Sequence, residues 1–298
     1  MSRFFTAIGT PLTDDDSLHV EGLEKQVDNQ RAAGIEGLLV AGSMGLCQLQ
    51  SDATWLDLIE HTLRTSHGDF EVLIGVGDTS FPRTRDRINS INHHSGIDGV
   101  VILTPYLYRY RDEELVDYYT ALADLARSPL FLYDLPQLVG YTLSDDVLMQ
   151  VARHPNIAGV KCSGDYDRTR HLMDTIGGNF RFIVAQADQI DRLTRDGIAE
   201  QLDGIFSIAP HWVKAIGSAA QRNDDKTAAK IQKKLTAARD KMIDLGIWAS
   251  FTAVMNAIGI PGRFAPRPYR MLSETQQHEL LAFDPIAELL CGTNPDTL

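Results

Sequence analysis

Residues 156–164 read Asn-Ile-Ala-Gly-Val-Lys-Cys-Ser-Gly, a short apolar run that ends in a lysine, Lys161. The earlier run 129–136, Pro-Leu-Phe-Leu-Tyr-Asp-Leu-Pro, carries a tyrosine, Tyr133, at the equivalent place. A lysine at the end of a buried strand costs free energy unless its amine is used. A low dielectric favours the neutral amine, which is a nucleophile toward carbonyl groups, and a neighbouring phenol can carry the protons that such chemistry moves. Lys161 and Tyr133 are therefore the first candidates for a reactive pair.

Short apolar runs of this kind alternate with longer segments of helical period along most of the chain. Strands that are apolar throughout and separated by helices are typical of a parallel sheet covered on both faces. Eight such units predict a closed (β/α)8 barrel, a TIM barrel, rather than an open sheet. The predicted strands are residues 4–10, 37–41, 72–77, 99–104, 130–133, 158–161, 182–185 and 204–208.

The remainder of the chain has helical period only, in residues 213–222, 225–245, 247–258 and 274–290. We interpret the first of these segments as the last helix of the barrel and the others as additional helices. The predicted organisation is a barrel over residues 1–223 and a C-terminal helical extension, packed on the barrel, over residues 224–298.

Composition and charge narrow the classes of function. The chain has 298 residues, 44% of them hydrophobic, and a formal net charge of −12, which repels phosphate backbones and anionic membrane surfaces. No apolar stretch reaches the length of about 18 residues that a membrane span needs. We therefore expect neither a nucleic-acid nor a membrane partner. The three cysteines have neither disulfide nor metal-site spacing, so we expect a reducing cytoplasm and no metal centre.

In a barrel of this class the chemistry lies at the C-terminal ends of the strands. The residues predicted there offer one amine, phenols, hydroxyls and a single carboxylate. Such a set favours carbonyl chemistry on a polar organic acid over phosphoryl transfer or metal-assisted hydrolysis. The residues in question are Thr10, Gly42, Ser43, Met44, Gly45, Thr104, Tyr106, Tyr133, Lys161, Gln186, Asp188 and Ser207.

Four landmarks occur along the chain in the order found in one known family. They are Gly-Ser-x-Gly at 42–45, Thr-Pro-Tyr at 104–106, Tyr-Asp-x-Pro at 133–136 and Gly-Val-Lys at 159–161. With them the chain resembles the dihydrodipicolinate synthase/N-acetylneuraminate lyase superfamily of class I, Schiff-base-forming aldolases. Within this superfamily, the chain resembles the 2-keto-3-deoxy sugar-acid aldolases more than the other members.

The resemblance implies a function and a set of site residues. It implies that Lys161 forms an imine with the keto group of pyruvate or another 2-keto acid, without a further cofactor, and that Tyr133 is the proton shuttle. It also implies that Ser43, with the backbone of Gly42, Met44 and Gly45, holds the substrate carboxylate. The other implied substrate contacts are Tyr106, Tyr108, Ser163, Asp188 and Ser207. The implied assembly is a homotetramer, a dimer of dimers.

Four residues depart from the family pattern and leave alternatives open. Met44 replaces a second hydroxyl residue, and Leu46 replaces the usual acidic residue after Gly45. Leu107 replaces a tyrosine contributed across a subunit interface, and Leu138 replaces the arginine that binds the aldehyde partner in dihydrodipicolinate synthases. The leading hypothesis is a pyruvate-releasing or pyruvate-consuming aldolase. The same imine would also serve dihydrodipicolinate synthesis or dehydration of a 2-keto acid. A catalytically weakened homologue that only binds a keto acid is the alternative from another class.

Overall fold

A computed structural model describes residues 2–292 of the chain, and its strands form one closed parallel barrel in chain order. This topology confirms the predicted TIM barrel, and helices follow it at the C-terminal end of the described chain. The strands are β1 (Arg3–Ala7), β2 (Gly37–Val40), β3 (Glu71–Gly75), β4 (Gly99–Leu103), β5 (Leu130–Asp134), β6 (Ile157–Cys162), β7 (Arg181–Val184) and β8 (Glu200–Asp203).

Several of the helices begin where the sequence supplies a side chain that caps backbone N–H groups. Ser51 accepts from the N–H of Thr54, and Asp165 accepts from the N–H of Arg168. The helices are α1 (Val20–Ala32), α2 (Asp52–Ser66), α3 (Phe81–Ile91), α4 (Asp112–Leu125), α5 (Pro136–Val139), α6 (Asp145–Val151), α7 (Tyr166–Ile176), α8 (Ile190–Arg195), α9 (Pro210–Gln221), α10 (Asp225–Leu245), α11 (Ile247–Ala257), α12 (Glu274–Leu281) and α13 (Asp284–Leu290).

None of the helices within residues 2–292 combines the length and the apolar character that crossing a membrane requires.

The prediction of strand eight at residues 204–208 is wrong. The strand is Glu200–Asp203, and a 3-10 helix, Ile205–Ser207, occupies the predicted place. The strand has polar side chains that find partners, since Glu200 pairs with Arg3 at 3.1 Å and the Gln201 amide donates to the Thr194 hydroxyl at 3.0 Å. A strand of this kind lacks the apolar signature that marks the other seven.

The predicted helix over residues 274–290 is two helices, α12 and α13. Pro285 is in the first turn of α13, where its missing N–H costs nothing, and Phe283 before it is extended. The remainder of the predicted extension, residues 293–298, lies outside the described residues. The boundary placed at residue 223 stays a prediction.

By its internal contacts the chain divides into two compact units, here called the terminal unit (residues 2–70 and 186–292) and the central unit (residues 71–185). In the terminal unit β1 pairs in parallel with both β2 and β8. In the central unit β3 to β7 follow one another, and β5 pairs with β6 so that Tyr133 lies opposite Lys161. The central unit therefore holds the two residues singled out first.

Gly159 on β6 is needed because the neighbouring strand passes very close. A Cβ atom at this position would lie 2.3 Å from the carbonyl oxygen of Arg181 on β7. We predict that Gly159→Ala lowers the free energy of unfolding by about 1–3 kcal/mol, because backbone atoms must move to relieve the overlap. Urea denaturation followed by circular dichroism measures the change.

Gly164→Ala is the matched control, since the nearest atom to its Cβ would be Pro136 Cγ at 3.5 Å, an ordinary contact. Equal urea midpoints of unfolding for Gly159→Ala and Gly164→Ala would contradict the close approach of β6 and β7.

Candidate active site

The side chains of Lys161 and Tyr133 lie on the same face of the central unit's sheet. The residues are register partners on β6 and β5, and side chains in register on parallel strands point the same way. Both are 4% exposed. The Nζ atom of Lys161 lies 3.6 Å from the centroid of the Tyr133 ring, so the amine sits over the ring face. A buried amine thus has an aromatic ring face as a partner.

Backbone hydrogen bonds extend the sheet beyond this pair. The N–H and the hydroxyl of Thr104 both donate to the carbonyl of Tyr133, at 3.1 and 3.0 Å. The N–H of Ser163 donates to the carbonyl of Asp134 at 3.0 Å. The Ser163 carbonyl in turn accepts from the Gln137 amide at 2.7 Å. Both neighbours of β5 therefore hold the strand where Tyr133 emerges.

The loop after β4 presents apolar and aromatic side chains to solvent. Leu107 is 77% exposed and Tyr108 is 79% exposed, whereas Tyr106 is half-buried. Leu107 has φ of 76°, a left-handed conformation that strains a leucine. The loop is anchored at its base, where the Tyr141 hydroxyl donates to the carbonyl of Pro105 at 2.6 Å.

An arginine of the same loop packs beside α5. The guanidinium of Arg109 lies 5.3 Å from the centroid of the Tyr141 ring and donates to the carbonyl of Gly140 at 2.9 Å. Burial raises the pKa of Tyr141 to about 12, against the opposing charge of Arg109. Leu138, on α5, is 59% exposed.

The opposite face of β5 and β6 carries an ionic group that sequence reasoning missed. Asp134 is 1% exposed and pairs with Arg168 of α7 at 3.1 Å. Its register partner Cys162 is buried, and burial together with the charge of Asp134 raises the thiol pKa to about 12, so the thiol stays protonated. The acidic residue directly after Tyr133 in an apolar strand was a sequence signal for a buried ion pair. Nothing in the sequence pointed to Arg168 as its partner.

In the terminal unit, the turn after β2 contains the residues predicted to bind a carboxylate. Ser43 is half-buried, and its carbonyl accepts from the N–H of Leu46 at 3.1 Å. Ala41 and Leu46, on either side of the Gly42–Gly45 segment, have left-handed φ angles of 53° and 51°. Strained residues of this kind are common at binding sites, where the surrounding structure holds the backbone in place.

Two contacts fix the far end of that turn. The carbonyl of Gly45 accepts from the Thr10 hydroxyl at 2.9 Å and from the Gln50 amide. The side chain of Met44 packs on the backbone of Gly204, where a Cβ atom would lie 2.6 Å from the Met44 sulfur. Met44 is thus accommodated because residue 204 is glycine.

The other two predicted residues of the terminal unit already have partners. The Ser207 hydroxyl is buried and donates to the carbonyl of Ala7 at 3.1 Å. Asp188 is exposed, and its carboxylate lies 3.7 Å from Arg239 of α10. Their roles as substrate contacts stay predictions.

Among residues 2–292 no three histidine, cysteine or acidic side chains cluster in a way that would hold a metal ion.

Comparison with known proteins identifies the family. Residues 1–283 match the model of the dihydrodipicolinate synthetase family. The chain is 30% identical over 237 residues to a 4-hydroxy-tetrahydrodipicolinate synthase of Methanospirillum hungatei, covering 77% of this chain and 80% of the relative. It is 27% identical over 286 residues to an N-acetylneuraminate lyase of Rhizobium meliloti, covering 92% of this chain and 91% of that one.

A solved structure supports the same fold. A variant of the 2-keto-3-deoxygluconate aldolase of Sulfolobus solfataricus superimposes with a TM-score of 0.87 over 97% of both chains, at 19% identity. An identity this low shows the fold alone, whereas the family match extends over nearly the whole sequence. The chain therefore belongs to the dihydrodipicolinate synthetase family.

Proposed function

We propose that this family member is a class I aldolase that cleaves or forms a 2-keto acid through an imine on Lys161, with pyruvate as the keto-acid product or substrate. The observation that carries the proposal is the 3.6 Å distance between the Lys161 Nζ atom and the Tyr133 ring in a buried setting. Only a neutral amine attacks a carbonyl carbon, and the ring of Tyr133, whose phenol can take up a proton, lies against the Lys161 amine.

The first step is formation of the imine. The lone pair of the Lys161 amine adds to the keto carbon at C2 of the acid. The carbinolamine then loses its oxygen as water and leaves a protonated imine. We propose that Tyr133 carries the proton in these transfers, because its phenol ring contacts the amine.

The protonated imine is an electron sink for the bond between C3 and C4. In cleavage, Tyr133 is a phenolate because it has given its proton to the departing water, and it accepts the proton of the C4 hydroxyl. The C3–C4 electron pair moves into the imine, and an aldehyde leaves. The resulting enamine takes a proton at C3, and water releases pyruvate and the free lysine. Addition to an aldehyde is the reverse sequence.

We propose that the turn after β2 binds the substrate carboxylate. Backbone N–H groups of a tight turn, together with the Ser43 hydroxyl, suit an anion without an arginine. The hydrogen bonds of the Thr10 hydroxyl and the Gln50 amide to the Gly45 carbonyl hold the turn in place. Tyr106, Tyr108, Ser163, Asp188 and Ser207 remain candidates for contacts to the rest of the substrate.

For the second substrate, we favour the aldehyde that cleavage of a 2-keto-3-deoxy sugar acid releases over an amino-acid semialdehyde. Several relatives are named 4-hydroxy-tetrahydrodipicolinate synthases, which favours the synthase as the second candidate. Position 138 argues against it, because Leu138 has no charge with which to hold a second carboxylate. The buried reactive pair argues equally against a homologue that only binds a keto acid.

The imine can be trapped directly. We predict that borohydride with pyruvate adds one reduced pyruvate to the protein, on Lys161, and that Lys161→Ala shows no adduct and no activity. Intact mass measurement followed by peptide mapping checks both. An adduct on another lysine, or none at all, would refute the proposed chemistry.

Tyr133→Phe is the matched control. It keeps the ring beneath the amine but removes the proton carrier, so we expect the adduct to form while turnover falls by about 100-fold or more. Unchanged turnover would exclude Tyr133 as the proton shuttle.

Substrate choice can be tested with a panel. We predict pyruvate release from one or more 2-keto-3-deoxy sugar acids, and condensation of pyruvate with aspartate semialdehyde at least about tenfold less efficiently, since one missing charge contact costs a factor of this size or more. Coupled assays for pyruvate measure both reactions. The matched variant Leu138→Arg restores the charge and should narrow the ratio. A faster condensation by the unaltered chain would favour the synthase instead.

For the assembly, we propose a homotetramer in which Leu107 and Tyr108 contact another copy, because two adjacent large apolar side chains are almost fully exposed on one loop. We predict that Leu107→Asp lowers the molar mass measured by light scattering, whereas Ile243→Asp, on an equally apolar but separate exposed position of α10, does not. A tetramer that survives Leu107→Asp would contradict this contact.

The cytoplasm is the proposed compartment, since Cys47, Cys162 and Cys291 are free thiols. Cell fractionation tests this proposal.

A further inference from the structure

The buried Asp134 and the half-buried Arg168 form an ion pair on the face of β5 that points away from Tyr133. Asp134 follows Tyr133 in the strand, so the two side chains leave on opposite faces. One oxygen of the Asp134 carboxylate accepts from the Arg168 guanidinium at 3.1 Å, and the other accepts from the N–H of Leu143 at 3.2 Å. Burial raises the pKa of Asp134 against the pull of these donors, so the carboxylate depends on them to stay charged.

Arg168 connects this carboxylate to two further elements. It belongs to α7, and its guanidinium also donates to the carbonyl of Leu143 and pairs with Asp145 of α6 at 2.8 Å. A planar guanidinium holds several acceptors in one geometry, which a lysine cannot do. Helix α7, helix α6 and the end of β5 are therefore held together at one point.

That point lies next to both reactive residues. Asp134 follows Tyr133, and its register partner Cys162 follows Lys161. The Asp134 carbonyl accepts from the N–H of Ser163, two residues after Lys161, at 3.0 Å. A displacement of Asp134 is thus transmitted to Tyr133 through the chain and to the Lys161 strand through the ladder.

We propose that the Asp134–Arg168 pair is a positioning pair, which fixes the ends of β5 and β6 so that the Tyr133 phenol and the Lys161 amine keep their reactive geometry. The inference rests on the proposed function of Lys161. It assigns a role to two residues that do not contact the reacting atoms. Reaction rates depend steeply on such geometry, and misplacement by about 1 Å costs up to about 100-fold.

The exchange of the pyruvate methyl protons for deuterium tests this without the aldehyde substrate. The exchange requires the imine on Lys161, removal of a C3 proton to give the enamine, and return of a deuteron. Proton NMR gives its kcat and KM for pyruvate. We expect Asp134→Asn to lower kcat by about tenfold with KM changed by less than about twofold, because the binding groups are untouched while the reactive pair shifts.

Two matched variants separate positioning from stability. Glu71→Gln removes another part-buried ion pair of the central unit, to Arg181 at 2.7 Å, at the first residues of β3 and β7. It should lower the unfolding midpoint as Asp134→Asn does and leave kcat within about twofold of the unaltered chain, since Glu71 and Arg181 are the first residues of their strands and Arg181 precedes Ile183, the register partner of Lys161, by two residues. Asp145→Asn removes the exposed partner of Arg168 and should also leave kcat nearly unchanged.

Arg168→Lys keeps the positive charge but loses the planar guanidinium that binds several acceptors at once. It replaces Asp134→Asn as the test variant if Asp134→Asn does not fold. We expect it to lower kcat in the same direction, with KM preserved. A kcat within twofold of the unaltered chain in either variant, or an equal loss in Glu71→Gln, would overturn the positioning role. If the unaltered chain neither exchanges these protons nor traps pyruvate on Lys161, the proposed function and this inference both fall. Exchange by the unaltered chain with unaffected variants overturns the inference alone.

Discussion

The parallel register between β5 and β6 is the constraint on which the candidate chemistry depends. It sets Tyr133 opposite Lys161, and the same register places the amine 3.6 Å from the ring centroid. A slip of one residue would turn one of the two side chains to the opposite face, because side chains alternate along a strand. The hydrogen bonds from Thr104 and Ser163 to the last residues of β5 oppose such a slip near Tyr133 and Lys161.

The alternation of a strand also separates reactive groups from structural ones within a few residues. Tyr133 and Lys161 point to one face, while their successors Asp134 and Cys162 point to the other and contact the helical layer. The buried carboxylate is tolerated because Arg168 and the N–H of Leu143 satisfy it. An unpaired charge at this depth would cost several kcal/mol, on the order of 3–5 for removal of one partner of a buried pair.

The departures from the family pattern have local physical consequences. Met44 is long for its turn and is accommodated by the absence of a side chain at Gly204. Leu107 keeps a strained left-handed backbone although it is not a glycine, and its side chain is almost fully exposed. Such strain persists only where it is supported, here by the loop's anchor between Tyr141 and Pro105.

Hydrophobic period alone predicted the barrel, since seven of its strands are apolar runs that parallel sheets require on both faces. It failed at β8, where Glu200 and Gln201 find polar partners on other elements, and after Phe283, where a second helix begins with Pro285 in its first turn. The landmarks around Lys161 and Tyr133 pointed to the chemistry, because residue type and strand position already restrict what a buried amine and a phenol can do.

What the linear order of residues determined was seven of the eight strands, the candidate reactive residue types and the family. Only the tertiary structure decided that the lysine amine lies over the tyrosine ring, that Arg168 of helix α7 pairs with Asp134 of strand β5, and that the Ser207 hydroxyl donates to the Ala7 carbonyl. Such pairings join residues far apart in the chain. They depend on how the elements pack, and packing has no local signature in a single sequence.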